Sequence, residues 1–165
     1  LDVPIVVKEI GAGLSGELVR KLLAIGVSAV DVAGAGGTSW SEVEAERQTD
    51  TLIKKVAHSF AGWGIPTAYS LIEARREAGS IPVFASGGLR TGIDIAKAIR
   101  LGASLCGVAA PALGPADEDS ETAMKHLQSL IEELRIAAFC TGSGTIKDLA
   151  KAPMRRVNDW SVVEF

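Results

Sequence analysis

Three glycine-rich stretches and one lysine carry the residue types in this sequence that can do chemistry. Gly11-Ala12-Gly13-Leu14-Ser15-Gly16 matches G-x-G-x-x-G, and Asp31 follows Gly11 by 20 residues. That spacing is a dinucleotide fingerprint, in which backbone N–H groups hold a pyrophosphate and the acid holds a ribose hydroxyl. The flanking residues argue against that use. Lys8 and Glu9 stand between the apolar run and the first glycine, and an unpaired lysine inside a buried sheet is costly. A charged pair at the carboxyl end of a strand fits the mouth of a βα barrel, where such folds keep their active sites. Lys8 then has three readings: a salt-bridged structural lysine, a Schiff-base former, or a cation facing an electron-rich cofactor edge.

The second stretch is Ala33-Gly34-Ala35-Gly36-Gly37-Thr38-Ser39-Trp40. Its glycines permit close backbone approach to a ligand, and Thr38 offers a hydroxyl to a phosphate or a ring heteroatom. Trp40 either shields a flat ring or plugs the core. The third stretch is the strongest: Ala85-Ser86-Gly87-Gly88-Leu89-Arg90-Thr91-Gly92, with Gly107-Val108-Ala109-Ala110-Pro111 after it. Backbone N–H groups of Gly88 to Arg90, from the loop and the start of a helix, make an anion nest to which Arg90 adds charge. βα barrels often build phosphate sites from the loops after their last two strands. No Ser-His-Asp or Cys-His set presents itself, so no catalytic residue is assigned. His58 and His126 read as surface residues, and Glu42, Glu44 and Glu46 as a solvated face. The acids of Asp117 to Asp119 favour a helix N-terminus.

Those residues need elements to hold them. Apolar runs at 3–8, 28–33, 82–86 and 105–109 read as strands, the first of them buried on both faces. Helical spacing is expected from Leu14 to Gly26, from Pro66 to about Ala78, from Thr91 to Leu101, from Asp119 to Phe139 and around Ile146 to Lys151. The polar stretch from Thr38 to His58 is expected to be partly helical. In the long helix Ala123, Leu127, Leu130, Ile131, Leu134 and Ala138 form the expected apolar stripe. The segment 23–33 echoes 99–109, each closing a helix at glycine and entering a strand that ends Val-Ala. Four βα units follow: half of a (β/α)8 TIM barrel with parallel strands, or a small doubly wound sheet.

The chain has 165 residues, 47% hydrophobic and 22% charged, which suits one globular α/β domain over 1–165. With 17 basic and 20 acidic side chains the net charge is -3, which argues against a general nucleic-acid binder or a membrane-surface protein. Cys106 and Cys140 read as reduced core residues of a cytoplasmic protein. The sequence opens at Leu1 directly on a strand-like run and looks like part of something longer.

Taken in order, Val3-Pro-Ile-Val-Val-Lys8-Glu9, Ala33 to Trp40, Gly62-Trp-Gly-Ile-Pro-Thr67-Ala68, Ala85 to Arg90 and Asp94-Ile-Ala-Lys-Ala98 resemble type 2 isopentenyl-diphosphate isomerase. The resemblance spans nearly the whole chain but only the carboxyl-terminal half of that family's length. It implies an FMN-dependent barrel that interconverts isopentenyl and dimethylallyl diphosphate in isoprenoid biosynthesis, with Mg²⁺ and with NADPH to reduce the flavin. It places Lys8 against the flavin pyrimidine edge and Thr38 in contact with FMN. The backbones of Gly88, Leu89, Arg90, Ala109 and Ala110 would hold the FMN phosphate. Some members carry a serine at the position of Ala33, so that one contact is missing here. The family's Gln-Glu pair for Mg²⁺ belongs to the amino-terminal half, so no metal ligand is expected in this chain and it should be inactive alone. A homo-oligomer, or a missing amino-terminal half, would cover the open barrel. The alternatives are a non-catalytic flavin- or phosphate-binding half-barrel and another FMN-dependent barrel oxidoreductase. α-Hydroxyacid oxidases would carry a His/Arg loop, and inosine-monophosphate dehydrogenases a cysteine loop, where this chain has AGAGGTSW.

Overall fold

Each apolar run supplies one short strand, and the strands pair in chain order. The computed structural model describes residues 2–155, so Leu1 and residues 156–165 of the expected domain lie outside the described residues. β1 (Val6–Lys8), β2 (Ala29–Asp31), β3 (Val83–Ala85) and β4 (Leu105–Cys106) form one parallel sheet in the order β1-β2-β3-β4. A doubly wound dinucleotide fold reverses its strand order at a switch point, whereas a barrel wall runs sequentially. The sequential order settles that choice for the barrel.

Helices α1 (Gly16–Ala24), α2 (Trp40–Arg47), α3 (Thr51–Ser59), α4 (Thr67–Glu77), α5 (Gly92–Arg100), α6 (Ala110–Glu118), α7 (Ser120–Cys140) and α8 (Ile146–Leu149) occupy the connections and the region after β4. Ser15, Ser39, Asp50, Thr91, Asp119 and Thr145 cap six of them through their side chains, each satisfying first-turn N–H groups. The echo between 23–33 and 99–109 is structural. Gly26 and Gly102 take φ of +87° and +109° after α1 and α5. Behind them Val27 N–H donates to Leu22 O and Ala103 N–H to Ala98 O, closing both helices in the same left-handed turn. α6 has no counterpart among the helices expected from spacing. Pro111, Gly114 and Pro115 discourage a helix, yet Pro111 sits in the first turn, where no N–H is needed.

The pleat divides the sheet into two unlike faces. Val7, Val30 and Val83 lie in register and point toward the helices, packing with Val19 of α1 and Leu71 and Ala74 of α4. Val30, Val83, Val19 and Leu71 are almost wholly buried, each worth about 1.5–3 kcal/mol over exposure. The opposite face carries Val6, Lys8, Asp31, Phe84 and Leu105. Among the described residues it is open at its two edges, Val6 being 48% and Leu105 58% exposed, while Ala29 between them is buried and Phe84 half-buried. The expectation that the first strand is buried on both faces is therefore corrected, for Val3 and Ile5 are exposed too. β1 lies at a sheet edge and its inner face is open.

A second cluster joins Ala96 and Ile99 of α5 to Leu149 and Ala152, with Leu134, Ala137 and Ala138 of α7 against it. The stripe expected on α7 is rotated by that packing. Leu130 is buried, but Leu127 and Ile131 face outward. Cys106 is half-buried and Cys140 exposed, so the reading of both cysteines as core residues fails for Cys140. Burial, and after it the charge of Asp31, pushes the Cys106 thiol up to about 11, which leaves it an unreactive thiol at neutral pH.

Candidate functional site

Parallel pairing brings all four strand ends to one side, and three of them meet in a polar cluster. Lys8 closes β1, Asp31 closes β2, and Ser86 follows β3. The Lys8 ammonium lies 3.4 Å from Asp31 Oδ2 and donates to Ser86 Oγ and to Glu9 O, both at 3.2 Å. Ser86 Oγ donates in turn to Asp31 Oδ1 at 2.8 Å. A salt bridge this open to water contributes little to stability, since the Lys8 side chain is 56% exposed. The contacts therefore add little stability, and what they do is hold the ammonium beside Asp31 and Ser86 at the strand ends.

The G-x-G-x-x-G loop is spoken for by the protein itself. Glu9 Oε2 accepts the N–H groups of Gly11, Ala12 and Gly13 at 2.6, 2.5 and 3.2 Å. Ser15 caps Leu18 N–H, and Glu73 takes that of Gly16. With Leu14 N–H held by Ser70 Oγ, most donors of a pyrophosphate cradle are already taken, and Asp31 meets a lysine. Burial raises the Glu9 carboxyl pKa, but the backbone donors outweigh it and hold it below the ordinary 4.5. A carboxyl depressed on folding stabilises the fold above its unfolded value and loses that effect as pH falls through the folded one. Glu9→Gln is therefore expected to cost about 1 kcal/mol at pH 7 and to flatten the stability profile below pH 4.5. Urea melts between pH 3 and 7 on both proteins check this; parallel profiles would contradict it.

The β2 and β3 loops interlock through their glycines. A Cβ on Gly87 would lie 2.2 Å from Gly34 O, and one on Gly88 2.1 Å from Gly36 O. Thr67 Oγ1, from the start of α4, donates to Gly87 O at 2.5 Å. Arg90 Nη2 reaches back to Gly36 O at 3.4 Å. Gly88 and Arg90 are thus joined to the loop that carries Thr38, itself exposed.

The expected nest needs one correction. Arg90 and Thr91 N–H donate to Asp94 Oδ2, and Gly92 N–H donates to Glu133 of α7 at 2.5 Å. The start of α5 is capped by its own box and by a neighbour's carboxylate, so the N–H groups of Arg90, Thr91 and Gly92 are taken. The free donors lie elsewhere. Among the described residues Gly88 and Leu89 N–H have no protein acceptor, nor do those of Ala109 and Ala110. Ala109 and Ala110 open α6, a helix with no side-chain cap. An uncapped helix start beside two free loop amides fits a phosphate group.

Beside the mouth, Glu9 to Ala12, Ala35 to Ser41 and Phe60 to Trp63 line a cavity of about 360 Å³. Trp40 stands in its wall, 55% exposed, so it does not plug the core. The histidines lie away from the mouth: His58 is 3.5 Å from Glu46, and His126 is half-buried on α7. Sequence reasoning missed Ser86 and Glu9 as binding partners and treated Asp31 only as a fingerprint acid. The signal was present, because Lys8 and Asp31 both end strands that pair in register.

A sequentially ordered parallel sheet with alternating helices and unpaired amides at its carboxyl edge defines part of a βα barrel. The FMN-dependent dehydrogenase pattern matches residues 1–156, and the chain belongs to that family. It is 54% identical over 154 residues to the isopentenyl-diphosphate delta-isomerase of Synechocystis sp., covering 93% of this chain and 44% of that protein. The enzyme of the same name from Rickettsia felis is 51% identical over 155 residues, covering 94% and 45%. The chain spans less than half the length of these relatives. Among solved structures, a mandelate oxidase variant with a monooxide FMN adduct superposes with TM-score 0.68 at 22% identity, over 94% of this chain and 42% of that one. A GMP reductase from Trypanosoma brucei gives 0.64 at 23%, over 92% and 32%. These structures share the fold and confirm the partial barrel. No helix of the described residues is long and apolar enough to cross a membrane.

Proposed function

We propose that this chain provides the flavin-binding side of an isopentenyl-diphosphate delta-isomerase that uses FMN, interconverting isopentenyl and dimethylallyl diphosphate in isoprenoid biosynthesis. The observation that carries the reading is the pairing of a held cation, Lys8, with free amides at Gly88, Leu89, Ala109 and Ala110 on one edge of the sheet. The relatives' shared name supports the reaction.

In this reading the amides of Gly88, Leu89, Ala109 and Ala110 hold the FMN phosphate, with the dipole of α6 behind the last two. Arg90 adds its positive charge, while its own N–H stays with Asp94. Thr38 contacts the cofactor from the β2 loop. Lys8 presents its ammonium to the pyrimidine edge, where negative charge gathers on the flavin. Bound FMN would supply the electron-rich ring that proton movement in the allylic substrate requires. Among the described residues no three His, Cys, Asp or Glu side chains gather around one point, and the reading places the Mg²⁺ ligands outside this chain. Those ligands, the diphosphate pocket and any NADPH contact are assigned to the remaining half of a full barrel. The open sheet face supports assembly, either with that half or in a homo-oligomer, and the reading implies a cytoplasmic enzyme. A non-catalytic flavin-binding half-barrel is the second reading, favoured by that same uncovered face.

Titration of the chain with FMN and with riboflavin tests the phosphate assignment. FMN is expected to bind at least about a hundredfold tighter, two or more charge-assisted bonds being lost with the phosphate. Equal affinity for the two flavins would remove the assignment.

A further inference from the structure

We infer that Asp31 is a positioning residue that, together with Ser86, aims Lys8 into the barrel mouth. The inference rests on the reading of Lys8 as the cation facing the flavin, and it assigns a role to a residue outside the expected FMN contacts. Lys8 is a long, exposed side chain, and a free ammonium on four methylenes samples many rotamers. Here it is tied at three oxygens. Asp31 Oδ2 supplies the counter-charge at 3.4 Å, and Ser86 Oγ and Glu9 O accept at 3.2 Å.

Asp31 itself is firmly held. Its side chain is only 14% exposed, and Oδ1 accepts from Ser86 Oγ at 2.8 Å and from Ala33 N–H at 3.2 Å. Ala33 takes φ of +37° at the start of the β2 loop, a conformation that costs a non-glycine residue energy. One carboxylate thus joins three strand ends: it fixes the lysine of β1, the hydroxyl after β3 and the loop that leaves β2. The two oxygens divide the work, Oδ1 serving the frame and Oδ2 the cation. A residue with only a frame role has no need of the second contact. The lysine and aspartate are register partners on the inner sheet face, so the pair is set by strand pairing rather than by loop flexibility.

A double-mutant cycle separates aiming from framing. Asp31→Asn keeps the shape and the Oδ1 bonds while removing the charge opposite Lys8; Lys8→Met removes the cation at similar size. Each variant of the full-length protein, and the pair, is read by FMN dissociation constant and by the midpoint potential of the bound flavin. Lys8→Met is expected to weaken FMN binding about tenfold, one charge-assisted hydrogen bond being lost, and to lower the potential. Asp31→Asn is expected to shift both in the same direction, and to shift neither further in the Lys8→Met background. An Asp31→Asn effect that persists undiminished in that background, or one of opposite sign, would overturn the inference. If Lys8→Met leaves the potential unchanged, the reading of Lys8 itself fails, a distinct outcome. Should Asp31→Asn not fold, Ser86→Ala takes its place. A smaller shift of the same sign is then expected, one that vanishes when combined with Lys8→Met, and no shift would count against the inference.

Discussion

Gly88→Val is expected to abolish measurable FMN binding, with affinity falling by at least about a hundredfold, and to destabilise the chain by roughly 3 kcal/mol. A Cβ at this position would stand 2.1 Å from Gly36 O and 2.3 Å from Gly36 C, both backbone atoms. Backbone cannot swing aside as a side-chain tip can, so the β2 and β3 loops must part. A φ of +83° adds strain for any L side chain, and strain and overpacking of this kind each cost about 1–3 kcal/mol. Parting the loops displaces the free amides of Gly88 and Leu89 from those at the start of α6 and carries Thr38 with the β2 loop. The glycine is therefore needed first for contact between two loops, and only through that contact for a ligand. Gly26→Ala is the control. Gly26 has φ of +87° with nothing within 4 Å of an added Cβ, so it should cost about 1 kcal/mol and leave FMN affinity unchanged. Urea denaturation and flavin titration of both variants decide the matter. Gly88→Val with FMN affinity within about threefold of the parent would refute the interlocked-loop account.

The same glycines show how far residue patterns reach. The strands were legible because each apolar run lies between a glycine turn and a helical stripe, and the barrel followed from lysine and glycine clusters at the strand ends. The phosphate cradle was legible as a place but not as a donor set. Which amides remain free depends on Asp94 and Glu133, and Glu133 reaches Gly92 across 41 residues of sequence. Local spacing cannot report a cap that arrives from another helix. α6 was hidden by its prolines, since composition counts Pro111 as a breaker while the first turn of a helix accepts it. The exposure of Val3, Ile5 and Val6 has the opposite cause. The run has the composition of a strand covered on both faces, and it is the cover, not the strand, that the described residues lack.

That uncovered face sets the second large expectation. The 165-residue chain, saturated with FMN, is expected to show no detectable conversion of isopentenyl diphosphate. Its described residues hold no cluster of three or more His, Cys, Asp or Glu side chains, and its inner sheet face lies open at Val6 and Leu105. β1 and β4 each pair on one side only, leaving two parallel edges of unpaired amides and carbonyls that another set of strands can take. Added in trans, the part of the Synechocystis relative that this chain does not match should close those edges. Burying several exposed aliphatics, at about 25 cal/mol per Å² of apolar surface, favours such an assembly, and the two halves would then bring flavin and metal to one mouth. Co-expression should give a stable complex and raise turnover by at least about a hundredfold over the chain alone, because the diphosphate would gain the charge neutralisation this half does not offer. Sedimentation of the mixture and an isopentenyl diphosphate assay read both effects. Turnover by the chain alone would show that the catalytic residues lie within these four βα units. A stable complex that binds FMN yet remains inactive would favour the flavin-binding module without catalysis.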